Sequence, residues 1–401
     1  MFTHFELLVY IATMIRNTPH LDALIADIRS FVRDQWHPIE EEVERLGEVP
    51  EAMVQTLRHK GYFGWSIPEA YGGLGLTTEE LVLCAFELSQ ASVALRARVG
   101  TNTGIGSEAL VADGTDEQKQ HWLPRMAAGE LTGCLALTEP EAGSEASNIQ
   151  TTARREGNIY ILNGMKRYIT NAPLADVFTV LARTEDGTRG SNGLSAFIVE
   201  RGTPGLRTGT PYRKMGQSGS PVSDVYFEDC RVPAANVIGG REGVGFQTVM
   251  KVLNKQRLHL SALCTGPAIR MLDLAMDHTQ QRKQFGQAVG NFQLVQAMVA
   301  DSQTEIFAAK SMIVETARAR DRGEDVSLTA SMCKYFASEM CGRVADRCVQ
   351  MFGGAGYIAD FSPIERYYRD VRLFRLYEGT SQIHQLNIAK LVQRERSKAA
   401  V

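Results

Sequence analysis

The chain has 401 residues, 44% of them hydrophobic and 22% charged, with a formal net charge of -3 at pH 7. That length exceeds what one core usually serves, so two or three domains are expected, and the charge leaves no basic surface for nucleic acid. Seven scattered cysteines (Cys84, Cys134, Cys230, Cys264, Cys333, Cys341, Cys348), with no CxxC and no Cys/His metal spacing, read as reduced core or surface thiols rather than as metal ligands or disulfides.

Met1 to Ile15 is apolar, but it carries Glu6, lacks a basic n-region and is too short to span a bilayer. A bacterial, cytoplasmic protein without a membrane segment is expected, with these residues an extra helix turn or a start-site feature. From Leu21 the spacing of Leu24, Ile25, Ile28 and Phe31 is helical, as is Leu81 to Leu88. Gly64 to Gly75 reads as a packed loop, and Asp113-Gly114-Thr115 ends one helix and starts the next. Near Leu131 the pattern changes to strands at Cys134–Leu137, Ile159–Leu162, Phe178–Ala182, Leu194–Val199 and Val225–Phe227, with a turn at Gly157-Asn158. Past Gly239-Gly240 helical spacing returns: a long segment to about Gln281 that Gly266-Pro267 should bend or break, one through Phe292 and Ile306, one from Leu328 to Met351, and one after Glu378. The expected fold class is α+β multidomain: a helical domain over 1–130, a β-barrel or sandwich over 131–240 and a four-helix bundle over 241–401.

Six segments carry candidate chemistry. Leu137-Thr138-Glu139-Pro140-Glu141-Ala142-Gly143-Ser144-Glu145 follows a strand, and its hydroxyls and free N–H groups suit a flat polar-edged ring or simply satisfy a Pro/Gly turn. Lys166-Arg167-Tyr168-Ile169-Thr170-Asn171, placed at a hairpin end, offers an aromatic and a hydroxyl. Arg282-Lys283-Gln284-Phe285-Gly286 with Phe292-Gln293 is a cationic turn between long helices, fit for pyrophosphate or for solvent. Gln350 to Tyr357 holds Gly353 and Gly354 after a helix, so it is not a Rossmann fingerprint. Asn254 and Arg257 share a helix face, by default a surface one. Glu378 lies between an aromatic run and a helix start at Thr380-Ser381; it fits a partly desolvated proton acceptor or a carboxylate that favours the helix dipole.

Tyr377-Glu378-Gly379-Thr380-Ser381-Gln382 resembles the active-site segment of the FAD-dependent acyl-CoA dehydrogenases, and the other five segments match that family in order from about Asp22 to Lys390. The resemblance implies that Glu378 removes the pro-R-type α-proton of an acyl-CoA thioester while the β-hydrogen leaves as hydride to flavin N5, giving the trans-2-enoyl thioester, as in fatty acid β-oxidation. It assigns Leu137, Thr138, Ser144, Tyr168, Ile169, Thr170, Arg282, Phe285, Phe292, Gln293, Gln350, Gly353, Gly354, Thr380 and Gln382 to the FAD. Ser144, Asn254, Arg257, Tyr377 and Gly379 are assigned to the substrate, whose carbonyl is polarised by the Glu378 N–H and a ribityl hydroxyl. It further implies an electron-transfer flavoprotein as acceptor and a homotetramer, a dimer of dimers in which Arg282 reaches a neighbour's cofactor. Three departures stand out: Glu145 for the usual Asp, Tyr168 for the frequent Trp, and Asn254 for Asp. Isovaleryl-type members carry the base on the long helix, where this chain has Gln256, so Glu378 is its one candidate base. Alternatives on the same fold are an acyl-CoA oxidase or flavin monooxygenase, and a flavoprotein of alkylation response, which wants a basic surface.

Overall fold

The computed structural model describes residues 15–399 except 186 and 189, so the expectation for residues 1–14 lies outside the described residues. The chain begins with helices α1 (Thr18–Phe31), α2 (Glu40–Leu46), α3 (Glu51–His59), α4 (Thr78–Leu88), α5 (Val93–Gly100), α6 (Glu108–Asp113) and α7 (Asp116–Ala127). Thr77 and Thr115 start α4 and α7 with capping boxes, each hydroxyl accepting from the N–H three residues on while Glu80 or Gln118 reaches back. The Gly64–Gly75 loop closes on itself, Leu74 N–H donating to the Gly64 carbonyl and Leu76 N–H to that of Trp65.

The middle of the chain forms β1 (Gly133–Ala136), β2 (Thr152–Glu156), β3 (Ile159–Thr170), β4 (Val177–Arg183), β5 (Leu194–Glu200), β6 (Leu206–Thr208) and β7 (Val222–Pro233). They make one curled seven-stranded sheet ordered β1-β4-β2-β3-β7-β6, with β5 on β4. β1 runs parallel to β4, whereas β3 pairs antiparallel with β7 and turns back on β2 at Gly157-Asn158, where Gly157 takes φ +61°. Cys134, Leu162, Phe178, Phe197 and Phe227 fill one face. The other face, through Leu135, Leu181 and Ile198, packs on Trp122, Leu123 and Val249, and so joins the sheet to helices on both sides.

Helices α8 (Gly245–Gln281), α9 (Gln293–Asp321), α10 (Ser327–Phe352) and α12 (Ser381–Ala399) form the expected bundle, with a short α11 (Ile364–Val371) that periodicity did not reveal. Of the expected bend or break at Gly266-Pro267 the break does not occur: α8 runs on as one helix of 37 residues. Proline forfeits one N–H bond, and here the surrounding core of Leu263, Cys264, Ala268 and Met271 outweighs that loss. Strands β2 and β6 were also missed: Thr152–Glu156 buries only Ala153, and Leu206–Thr208 is three residues long. All seven cysteines are buried and free, so none is a surface thiol. Among the described residues no helix is long and apolar enough to cross a membrane.

Candidate active site

Glu378 sits in a turn just before α12 with φ +52°, followed by Gly379 at φ +93°. A Cβ on Gly379 would come within 2.9 Å of His384 Nε2, so glycine is required both by the backbone and by the close approach. Side chains from two helices pin this turn. Lys334 Nζ on α10 donates to the Gly379 carbonyl at 2.6 Å, and His384 Nε2 on α12 lies 3.2 Å from the Glu378 carbonyl. Burial, with Lys334 and Arg257 nearby, drives His384 down to about 3; the ring is therefore neutral and its Nε2–H donates to that carbonyl. Thr380 Oγ1 accepts from the Ile383 N–H at 3.2 Å and caps α12, while Ser381 Oγ donates to Glu339 at 2.6 Å. Both carbonyls of the turn are thus engaged, and among the described residues the Glu378 N–H has no partner.

The Glu378 side chain has the opposite character to its backbone. The residue as a whole is half-buried, yet Oε2 is enclosed and has no hydrogen-bond partner. Desolvation raises its pKa above the ordinary 4.5, against the pull of Arg96, Lys334 and Arg257. A carboxylate raised in this way is a better proton acceptor than a solvated glutamate.

Arg257 on α8 is buried, not on the surface as its spacing suggested, and its Nη1 donates to Asn254 Oδ1 at 2.7 Å. Burial lowers the Arg257 pKa and the charge of Glu378 raises it, which places the guanidinium in the field of the base. Gln256 is buried beside it, its Oε1 3.3 Å from His259 Nδ1 and its Nε2 without a partner. The Tyr377 ring stacks on Phe374 at 6.1 Å, and its hydroxyl is buried and unpartnered. Arg96 on α5 lies over the Tyr377 ring at 5.7 Å. Sequence reasoning missed Arg96, Lys334 and His384, because they reach Glu378 from three separate elements and no local spacing marks them.

A second knot holds the other candidate segments. Lys166 Nζ, fully buried in β3, donates to Glu139 Oε1 at 2.7 Å, the Leu181 carbonyl at 2.6 Å and the Leu137 carbonyl at 3.3 Å. Glu139 also accepts from the N–H groups of Gln150 at 2.6 Å and Thr151 at 3.0 Å and from the Thr151 hydroxyl. Burial brings Lys166 down to about 8 against the pull of Glu139, whose own pKa is lowered because Lys166 and these donors overcome its burial. The Arg167 N–H donates to the Thr138 carbonyl at 2.7 Å, so the first two candidate segments are tied together.

The Lys166–Asn171 segment closes the long β3, the second strand of the β2–β3 hairpin, with Asn171 just past its end, and the register against β7 slips between Lys166 and Ile169. At the slip Tyr168 takes φ +60° and turns outward, 63% exposed. Ile169 is buried in the sheet core, which leaves its backbone rather than its side chain for any ligand, and Thr170 is half-buried. Leu137 and Thr138 are half-buried, whereas Ser144 and Glu145 are exposed.

Arg282, Phe285 and Gln293 are exposed on the turn between α8 and α9, Phe285 by 93%, with the Phe292 ring edge-on 6.1 Å away. His278 stacks on Phe352 at 4.2 Å, which brings the end of α8 beside Gln350, Gly353 and Gly354 at the end of α10. Among the described residues no hydrogen bond or ion pair ties this group to the Thr138–Tyr168 segment. Gln382, on the first turn of α12, is exposed beside the half-buried Thr380.

An enclosed carboxylate oxygen without a partner, where Arg96 of the helical domain and Lys334 and Arg257 of the bundle converge, is a site suited to proton transfer. Residues 18–130, 134–230 and 243–393 match the N-terminal, middle and C-terminal domains of acyl-CoA dehydrogenase, and the chain belongs to that family. It is 40% identical over 362 residues to the 3-(aryl)acrylate reductase of Clostridium sporogenes, covering 90% of this chain and 95% of that one. It is 37% identical over 352 residues to the Caffeyl-CoA reductase-Etf complex subunit CarC of Acetobacterium woodii, covering 88% and 92%. The solved butyryl-CoA dehydrogenase of Megasphaera elsdenii superposes with a TM-score of 0.90 at 30% identity, over 94% of this chain and 99% of that chain. FAD is the cofactor of this family, and the residues present fit it. A Cβ on Gly353 or Gly354 would meet nothing within 4 Å, so that backbone is open to a close-lying dinucleotide, and the buried Asn171 Oδ1 lacks a partner beside Thr170.

Proposed function

We propose that the protein dehydrogenates an acyl-CoA thioester between its α and β carbons, with Glu378 as the base. The enclosed, unpartnered Oε2 of Glu378 carries this reading. An unactivated α-proton is far too weak an acid for a carboxylate, so the thioester carbonyl must be polarised. The Glu378 N–H, without a partner among the described residues while Lys334 and His384 engage the carbonyls of the turn, supports that role. Bound FAD supplies the hydride acceptor for the β-hydrogen. Leu137, Thr138, Tyr168, the Ile169 backbone, Thr170, Thr380 and Gln382 hold its ring end. Gln350, Gly353 and Gly354, with Arg282, Phe285, Phe292 and Gln293 of a neighbouring subunit, hold its dinucleotide end. Ser144, Asn254, Arg257, Tyr377 and Gly379 face the substrate. The 93% exposure of Phe285 on one chain supports the neighbour's role and the homotetramer with it. The limits 1–130, 131–240 and 241–401, an electron-transfer flavoprotein as redox partner and a bacterial cytoplasm belong to the same reading, supported by the bacterial relatives and the Etf-complex name of one of them.

The names of the two relatives favour a second direction, reduction of the enoyl thioester with Glu378 returning the proton to the α carbon. Anaerobic mixing with acyl-CoA tests the reading: the flavin bleaches with the natural enzyme and not with Glu378→Gln. Equal bleaching by both would overturn it, and the potential at which the partner flavoprotein equilibrates gives the direction.

A further inference from the structure

Taking a proton from one carbon and a hydride from its neighbour demands that base and hydride acceptor keep one register, and a misplacement of about 1 Å can cost about 10²-fold in rate. This protein draws the two from different domains: Glu378 stands eight residues past Asp370 of α11, whereas Tyr168 to Thr170, proposed to hold the flavin ring, end strand β3 of the sheet. Asp370 spans the gap. It is 2% exposed, its Oδ1 accepts from the Gln217 N–H, and its carbonyl accepts from Gln217 Nε2 at 2.9 Å. Gln217 is itself buried and held at φ +59°, and a Cβ on Gly216 would come within 2.7 Å of Asp370 Oδ1, so the loop before β7 is pressed onto α11. That loop leads straight to the flavin strand: the Ser220 N–H donates to the Gln217 carbonyl at 3.2 Å, the Asn171 N–H to the Pro221 carbonyl at 2.8 Å, and Val222 pairs with Thr170. On the other side α11 runs through the buried Phe374, which stacks on Tyr377, into the Glu378 turn. Among the described residues the only other hydrogen bond between the sheet domain and residues 364–380 is an exposed one, Arg369 Nη1 to the Met215 carbonyl at 3.1 Å. Burial, with Glu44 adding to it, raises the Asp370 carboxyl to about 7 against the Gln217 N–H, Arg366 and Arg369, and Lys214 also faces it. Charged or neutral, it keeps an acceptor oxygen for Gln217. We propose that Asp370 is a positioning residue: by accepting from the Gln217 N–H it registers the flavin-holding end of β3 against the Glu378 turn.

This rests on Glu378 acting as the base, and the test separates the two. In the holoenzyme, anaerobic flavin bleaching by saturating acyl-CoA is set against exchange in D2O of the α-proton of a thioester with sulfur at its β position, which can be deprotonated but has no β-hydrogen to lose. Asp370→Ala is expected to slow bleaching about 100-fold and exchange by less than about 3-fold, because the base stays intact while its register with the hydride acceptor is lost. Asp370→Asn, which keeps the acceptor oxygen, is expected to stay within about 5-fold of the natural enzyme in both. Amide hydrogen exchange read by mass spectrometry is expected to speed up in Asp370→Ala over both 166–171 and 372–380. Should that variant not fold, Gln217→Gly removes the side-chain half of the tie at a φ that glycine tolerates, and the same separation is expected at about 10-fold. Equal slowing of bleaching and α-proton exchange overturns the proposal, as does an Asp370→Asn as slow as Asp370→Ala, or faster amide exchange confined to 216–220. Should the natural enzyme neither exchange the α-proton nor bleach, the assignment of Glu378 fails, and the amide exchange still decides Asp370.

Discussion

Two glutamates of this protein, Glu139 buried and Glu378 half-buried with an enclosed oxygen, have opposite fates. Glu139 accepts from a lysine, a hydroxyl and two backbone N–H groups, and its pKa is lowered; Glu378 has an oxygen with no partner, and its pKa is raised. Three cations surround Glu378 as against one for Glu139, so charge alone does not set the difference. Contact does: Lys166 closes on Glu139 at 2.7 Å, whereas Arg96, Lys334 and Arg257 act on Glu378 without an ion pair among the described residues. A carboxylate whose lone pairs are filled holds two segments together. One left unfilled in a dry place is kept ready for a proton.

The comparison breaks most visibly at the proposed base. Glu378→Gln is expected to lower the rate of anaerobic flavin bleaching by about 10³-fold or more, with FAD retained, because the amide keeps the shape and cannot take a proton. Gln256→Ala is expected to fall far short of that; an equal loss would mean that two residues share the proton. At the other knot, Lys166→Met leaves Glu139 buried without its cation and is expected to lose about 3–5 kcal/mol of stability in urea unfolding. A loss under about 1 kcal/mol would show that Glu139 is not held by its ion pair.

Titration sharpens the contrast. Glu378 has a folded pKa above its unfolded one, so between those values the folded state holds the extra proton, and stability falls as pH rises through that window. Glu378→Gln should therefore raise the melting temperature at pH 7 and lose that advantage below the ordinary carboxylate range. In the natural enzyme the acidic limb of kcat/KM should lie above 4.5, the unperturbed value. Smallest of all, Glu145→Asp on an exposed loop should change kcat/KM by less than about 2-fold, as expected for a surface position.

The helix–sheet–helix order was legible because helical spacing persists over long stretches such as 293–321 and a short continuous apolar run marks 177–183. Thr152–Glu156 escaped because four of its five residues are exposed and no alternation survives. Gly266-Pro267 misled for the opposite reason: a local breaker signal was overridden by packing on every side of α8. In the site, Glu378 was visible as an acid before a capped helix, and Asn254 and Arg257 as one face. The partners that decide their chemistry were not, since Arg96 and Lys334 stand 282 and 44 residues away from Glu378 in sequence. Glu139 lies in a turn while its lysine belongs to another segment 27 residues on, and only the folded sheet brings them together.

Glu378 occupies left-handed backbone, at φ +52°, where an amino acid with a side chain is disfavoured and glycine is at ease. Folding thus prefers glycine here, or an uncharged isostere that removes the cost of the desolvated charge, while the proposed chemistry accepts only the acid. Selection for a stable chain and selection for a working one pull this position in opposite directions. Random drift in a population freed from the reaction would erase Glu378 early and leave a well-folded flavoprotein behind, so the residue at this turn is a better witness than the fold to whether a descendant still does the work.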